Sequence, residues 1–432
     1  MTIKKVAVVD GVRTPFIKAW SLFEGLSAQK LGALAVTELL QRTEIDPDLV
    51  DEVIIGCVGQ PVDAANVSRV ISLLAGIPKS KRAYTVNRNC ASGFEAVTSA
   101  VEKITAGLDG VVIAGGAESM SNAPLLYSRE ATQIFLKLQR AKTLGQKLAL
   151  FSRFRPRHFA PQPALQMALT DPSCGLNMGQ TAEVLAKKFA ISRQAQDAFA
   201  LESHRRVIAS RAALREEMMT VQLPPKYETA VSDDNGVREN QTLEQLGKLK
   251  PIFDRRTGTV TAGNSSQITD GACALLLMEE ARARSLGLRV LGTIAAYDYV
   301  GVEPSEMGLG PAFSIQRVLK KTGLSLPDIG LFEINEAFAC QVLSCLDALD
   351  SKKFAAENFS DGRPVGRIDP AVLNVNGGAI ALGHPVGVSG ARLVLSCLKE
   401  MKRRGLERGL VTACVGGGQG SAVLLERGRS DG

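Results

Sequence analysis

Three short runs in the first 120 residues, KKVAVVDGVR, DEVIIGCVG and DGVVIAGGAES, are dense in valine and isoleucine and end in glycine. Runs without polar alternation are strands buried on both faces, which arise where helices cover each side of a sheet. Between them, SAQKLGALAVTELLQRT and SGFEAVTSAVEKITAG carry apolar residues at helical spacing. This alternation commits the chain to a layered α/β fold. From about Ser121 to about Gln267 the texture changes to prolines, a basic stretch and helical pieces such as GQTAEVLAKKFAISRQAQDAFALESHRR, which predicts an insertion between core elements. Strand-like runs then return as LRVLGTIAAYDYV, IGLFEINEA, AVLNVNGG, GLVTACVGG and SAVLLER.

A weak internal repeat runs through this pattern. CASGFEAVTSAVEKITAGLDGVVIAGGAESMS lines up with GVSGARLVLSCLKEMKRRGLERGLVTACVGGGQGS, matching Ser92-Gly93 with Ser389-Gly390. Two such halves would meet with their helix N-termini near a shared axis, one opened by Cys90 and the other by the loop carrying His384.

The length of 432 residues predicts two or three domains sharing buried surface. No apolar run approaches the roughly 20 residues needed to cross a bilayer. The opening MTIKKVAVVDGVRTP leaves no room for a secretory or transit segment, and the final RSDG is no retention or peroxisomal address, so a cytoplasmic location is expected. Eight cysteines without CxxC pairs point to a reduced interior, and three histidines (His158, His204, His384) argue against a metal site. The net charge of +7 is concentrated in 129–157, where eight Lys/Arg face one Glu. With the remainder balanced and no recognition motif, nucleic acid is not an expected partner.

Four positions could carry chemistry. Cys90 in VNRNCASGFEA sits at the start of a helix, where unpaired N–H groups favour thiolate below the free value of about 8.5; the stretch alone leaves open a packing role. His384 in NGGAIALGHPVGVSGAR stands on a turn between glycine and proline, and neutral imidazole beside a thiol would activate it. Cys414 in LVTACVGGGQG ends a buried strand beside a glycine-rich turn of the kind that binds anions. Asn335 in FEINEAFA is either a helix cap or an amide that orients a water or carbonyl.

Taken in order along the chain, these motifs closely resemble those of the thiolase family. NCASGFEAV matches its nucleophile motif, NEAFA its asparagine motif, NGGAIALGHPVGVSGAR its histidine motif and CVGGGQG its second-cysteine motif; GAESMS, NMGQTAE and GTVTAGNSSQITDGA match as well. The resemblance implies a thiolase-like fold of two duplicated βαβαβαββ halves in an α-β-α-β-α stack. It places the N-terminal half at 1–121, completed by 269–290, a loop domain at 122–268 and the C-terminal half at 291–432. It implies Cys90 as the nucleophile that forms an acyl thioester, His384 as its base and an oxyanion-hole donor, Cys414 as general acid/base and Asn335 as the holder of an oxyanion-hole water. The backbone N–H groups of Cys90 and Gly416 would bind the second oxyanion, and Ser266, Met178 and Phe338 would lie near pantetheine and the acyl group.

By the same resemblance the substrates are CoA and acyl-CoA, no other cofactor is needed, and the chain is a homodimer or dimer of dimers. The activity implied is 3-ketoacyl-CoA thiolysis in β-oxidation, with an acetoacetyl-CoA thiolase and a non-catalytic lipid-binding relative as alternatives. Asn177 stands where some acetoacetyl-specific thiolases have histidine. The basic segment and the extended SKKFAAENFSDGRPVGRIDP resemble β-subunits of trifunctional complexes, implying a hydratase/dehydrogenase α-subunit as partner and membrane contact through 129–157. A solvated lid over the site is an equal reading of that segment.

Overall fold

A computed structural model describes residues 4–428; the terminal RSDG lies outside them. The N-terminal half runs β1 (Val6–Arg13), α1 (Ala28–Thr43), β2 (Glu52–Gly56), α2 (Val67–Leu74), β3 (Arg82–Val86), α3 (Ser92–Thr105) and β4 (Val111–Glu118). Within the insertion lie α4 (Arg129–Arg140), α5 (Leu144–Phe151), α6 (Met178–Lys188) and α7 (Arg193–Ala209), and β5 (Thr269–Glu279) then returns to the core. The C-terminal half runs β6 (Gly292–Gly301), α8 (Gly310–Thr322), β7 (Leu331–Ile334), α9 (Ala339–Asp350), α10 (Ser389–Arg404), β8 (Arg408–Val415) and β9 (Gln419–Arg427).

The strand order is β3-β2-β4-β5-β1-β6-β9-β8-β7. It reads as two copies of one sheet meeting at β1 and β6, which pair only over Val6–Val8 and Gly292–Ile294. In each copy the outer strands are parallel and the two nearest the join are antiparallel. Side chains alternate across each strand, and β5 shows the result. Cys273, Leu275 and Leu277 pack with α3 and α10 in a central core, whereas Ala274, Leu276 and Met278 pack with α1 and α2. On the other side, Leu410 and Leu424 meet α8 and α9. Helices α3 and α10 therefore form a middle layer between two sheets, as the family resemblance implied.

The two Ser-Gly pairs explain how that layer closes. A Cβ added at Gly93 would lie 2.6 Å from the backbone nitrogen of Ala391, and one at Gly390 would lie 2.4 Å from that of Phe94. Each glycine removes a side chain where the opposite helix's first turn passes, so the N-termini of α3 and α10 cross in backbone contact.

One expected strand is reduced. AVLNVNGG contributes only a single parallel bridge, between Leu373 and Phe332. Asn374 turns to φ +45° and its side chain replaces the next rung, accepting from Ile334 N at 2.8 Å and donating to Ile334 O at 2.9 Å. A polar side chain satisfies the edge of β7 where a longer strand was expected.

The insertion is tied to the core by a buried ion cluster. Arg13 at the end of β1 is fully buried and donates to Glu217 at 2.6 Å and to both oxygens of Asp234 at 2.7 and 2.9 Å. Such a cation is stable there because the two carboxylates satisfy it. The basic segment forms two short helices rather than one, because Thr143 starts α5 with a capping box completed by Gln146.

Candidate active site

Cys90 lies two residues before α3, in a turn forced by Asn89 at φ +44°. Asparagine tolerates this left-handed geometry better than most residues. Ser92 locks the turn, its Oγ accepting from Arg88 N at 2.9 Å and donating to Asn89 O at 2.7 Å. The backbone N–H of Gly416 and that of Cys90 itself are directed at the thiol. Burial nevertheless raises its pKa above the ordinary value, and Glu118 adds to the rise. The expectation of a thiolate in the resting site is thus corrected: desolvation outweighs the helix terminus.

His384 sits on the loop before α10, with its backbone N–H donating to Gln267 O at 3.0 Å. Nδ1 lies 2.6 Å from Ser389 Oγ, and that hydroxyl lies 3.3 Å from Pro385 O. If Ser389 donates to the carbonyl, Nδ1–H donates to Ser389 and Nε2 keeps its lone pair. Asn335 Nδ2 is 3.5 Å from Nε2, and the buried Oδ1 of Asn335 finds no partner among the described residues. Burial, with Arg392 nearby, lowers the imidazole pKa to about 4. A neutral thiol and a neutral imidazole therefore face the site, which avoids two uncompensated buried charges.

A pH test follows. The rate of Cys90 acylation should show no inflection near pH 6.5, because the folded imidazole stays neutral down to about 4. Unfolded histidine takes up its proton near 6.5, so this group's contribution to stability declines as pH falls from there toward 4. Rapid-quench acylation and denaturant melts across pH 4–8 measure the two effects; an acylation inflection at 6.5 would contradict the burial.

Cys414 is buried at the end of β8, and burial raises its pKa well above the ordinary value, with Cys90 among the nearby groups that add to the shift. Its resting form is the thiol, a proton donor. Cys90, His384, Cys414, Met178, Ser266 and Phe338 line one cavity of about 730 Å3. Asn335 stands behind His384, and Gly416 behind Cys90. Phe253 meets Phe338 edge-on with ring centroids 6.1 Å apart, and Ser266 N–H donates to Ala337 O at 2.9 Å. Asn177, also on the wall, spends its side chain capping α6 in a reciprocal box with Gln180 at 2.9 Å each way. Among the described residues no group of three or more metal-ligating side chains occurs.

Three residues that matter here were not singled out from sequence. Glu118 accepts from the N–H groups of Val58, Gly59 and Gly387 at 3.0, 2.8 and 2.9 Å, pinning the histidine loop to β4. Asn89 Nδ2 donates to Gly416 O at 2.8 Å. Asp171 accepts from the hydroxyl and the backbone N–H of Ser173, at 2.5 and 2.7 Å, and these, with the nearby backbone N–H groups of Cys174 and Gly417, hold its pKa below the usual carboxylate range. The Gly416–Gly417 peptide, next in the chain to the Gly416 N–H that faces the thiol, thus has Asn89 at its carbonyl and Asp171 beside its N–H. Asparagine at a turn before cysteine was the available signal for Asn89; nothing local marks Asp171. Asn89→Ala should lower the single-turnover acylation rate about tenfold with KM little changed, the effect expected if the Gly416 N–H is an oxyanion donor. An equal loss through KM would contradict that role.

A duplicated α/β core whose two halves deliver a thiol apiece to one apolar cavity defines an acyl-transferring class of enzyme. Family models confirm the membership: "Thiolase, N-terminal domain" matches residues 6–281 and "Thiolase, C-terminal domain" matches 288–427. The chain belongs to the thiolase family. It is 43% identical over 425 residues to a 3-ketoacyl-CoA thiolase of Salmonella typhi, covering 98% of this chain and 97% of that protein. A Pectobacterium carotovorum 3-ketoacyl-CoA thiolase is 44% identical over 428 residues, covering 98% and 96%. Among solved structures, human mitochondrial 3-ketoacyl-CoA thiolase in complex with CoA matches with TM-score 0.85 and 36% identity over 99% and 98% of the two chains. The Bacillus anthracis acetyl-CoA acetyltransferase matches with TM-score 0.86 and 34% identity over 98% and 99%.

Proposed function

We propose that this thiolase cleaves 3-ketoacyl-CoA with CoA, giving acetyl-CoA and an acyl-CoA two carbons shorter, in the degradative direction of β-oxidation. The observation that carries the reading is the meeting of Cys90, His384 and Cys414 on one largely apolar cavity. Cys90 attacks the 3-keto carbon as its proton passes to Nε2 of His384. The C2–C3 bond then breaks, its electron pair forming the acetyl-CoA enolate, and the Cys414 thiol protonates C2. CoA, deprotonated by the Cys414 thiolate, takes the acyl group from Cys90, and His384 returns its proton to the departing sulfur, which restores both thiols. The N–H groups of Cys90 and Gly416 stabilise the first oxyanion. The second, on the thioester, is served by His384 and a water held through the unpartnered Oδ1 of Asn335. Met178, Ser266 and Phe338 contact the pantetheine arm and acyl group, and no cofactor beyond the substrate CoA enters the scheme.

The partner readings have separate support. No described strand pairs with the outer edge of β3, and its Tyr84 and Val86 are only half-buried, which suits strand pairing with a second copy in a homodimer or dimer of dimers. Phe135 and Leu136 on α4, and Leu144, Leu148 and Phe151 on α5, are exposed in a segment rich in lysine and arginine, which suits peripheral contact with an anionic membrane. No described helix is long and apolar enough to span one. A hydratase/dehydrogenase α-subunit and a cytoplasmic location complete the reading. Thiolysis of 3-ketoacyl-CoA substrates from four to sixteen carbons tests it: the longer chains should be cleaved at least as efficiently as acetoacetyl-CoA. Activity confined to acetoacetyl-CoA would favour the biosynthetic alternative, and no cleavage at all would revive a non-catalytic role.

A further inference from the structure

The chain has a single tryptophan, and its conformation is unusual. Trp20 adopts φ +59°, a left-handed backbone that a bulky side chain rarely enters, yet its ring gains no burial from it: the residue is 61% exposed. The surrounding backbone is held firmly. Ala19 N–H donates to Ile268 O at 2.9 Å, and Trp20 N–H donates to Ser121 Oγ at 2.7 Å. Ser121 is itself anchored by the fully buried Asp270, which accepts from both its backbone N–H, at 2.9 Å, and its hydroxyl. Strain that such hydrogen bonds maintain, and that leaves an indole in the open, is of the kind found where a site needs that side chain.

The site is the catalytic cavity. Trp20 lines it together with Met120 and Ile268 on its own side, and with Leu165 and Leu169 of the insertion. These four side chains are apolar, Gln166 and Thr170 of the same insertion segment also line the cavity, and the cavity is continuous with the space in front of Cys90. We propose that Trp20 is a specificity-determining residue, its indole covering the distal part of a medium or long acyl chain whose reacting end lies at Cys90. The inference rests on the thiolysis reading for the identity of the chain. Its physical basis is independent of that reaction: an exposed aromatic face becomes buried only when an alkyl chain reaches it.

Because there is one tryptophan, its emission in the full-length protein reports on this position alone. Emission should move to shorter wavelength on titration with octanoyl-CoA and palmitoyl-CoA, and should stay unmoved with CoA or acetyl-CoA. A shift with CoA alone would overturn the assignment, placing the indole on the carrier; no shift with any chain would overturn it equally. In thiolysis, Trp20→Ala should lose about tenfold in kcat/KM with sixteen-carbon substrate and stay within about twofold of wild type with acetoacetyl-CoA. Trp20→Phe should fall between, and a uniform loss across chain lengths would overturn the proposal. A wild-type protein that shifts with palmitoyl-CoA yet cleaves no 3-ketoacyl-CoA would support the indole contact and sink the thiolysis reading.

Discussion

Replacing Cys90 with alanine should abolish acyl-enzyme formation, and thiolysis should fall by about 10^4-fold or more, as expected when a covalent nucleophile is removed. The substitution is small and the residue is half-buried at the cavity wall, so the fold should persist. Intact-mass measurement after incubation with acetyl-CoA should show a single acetyl adduct on wild type and none on the variant. Of the other seven cysteines, Cys414 is the one that also reaches the cavity. An adduct that survives in Cys90→Ala would move the nucleophile there and reverse the assigned roles.

The companion experiment separates the two thiols. Cys414→Ala should still accept an acetyl group from acetyl-CoA, within about tenfold of the wild-type rate, because the proposed nucleophile Cys90, base His384 and oxyanion donors remain. Carbon–carbon cleavage should fall by about 10^3-fold, in the range seen for loss of a positioned general acid. Exchange of the α-hydrogens of acetyl-CoA with deuterated water, followed by NMR, isolates the step. Exchange that continues at the wild-type rate in Cys414→Ala would exclude this thiol from proton transfer.

The fold was largely legible in the sequence because its strands are buried on both faces, and doubly buried strands advertise themselves as unbroken apolar runs. The duplication was legible for a different reason: close backbone crossing demands glycine at Gly93 and Gly390, so geometry left a matching imprint on each half. The reduced strand near Leu373 was not foreseeable, since the rung contributed by the Asn374 side chain depends on where β7 lies in space. At the site, motif residues were legible and their ionisation was not. Cys90 stands at a helix start, which favours thiolate, but burial is a property of the assembled cavity and reverses the sign. Asp171 escaped notice for a related reason, because its partner Gly417 is distant in sequence and only folding brings them together.

The strand order has a consequence for how the protein comes into being during synthesis. β9 is the last described element to be made, yet it lies inside the sheet, paired on one flank with β6 and on the other with β8. His384 and Cys414 likewise arrive about 300 residues after Cys90. An emerging chain must therefore leave the first turn of α3, with Gly93 and Phe94, without its α10 partner until that helix is complete. At roughly 5–20 residues per second that interval lasts on the order of tens of seconds. The nascent N-terminal half is a natural client for chaperones, and no acyl group can be captured productively before synthesis of the core is nearly finished.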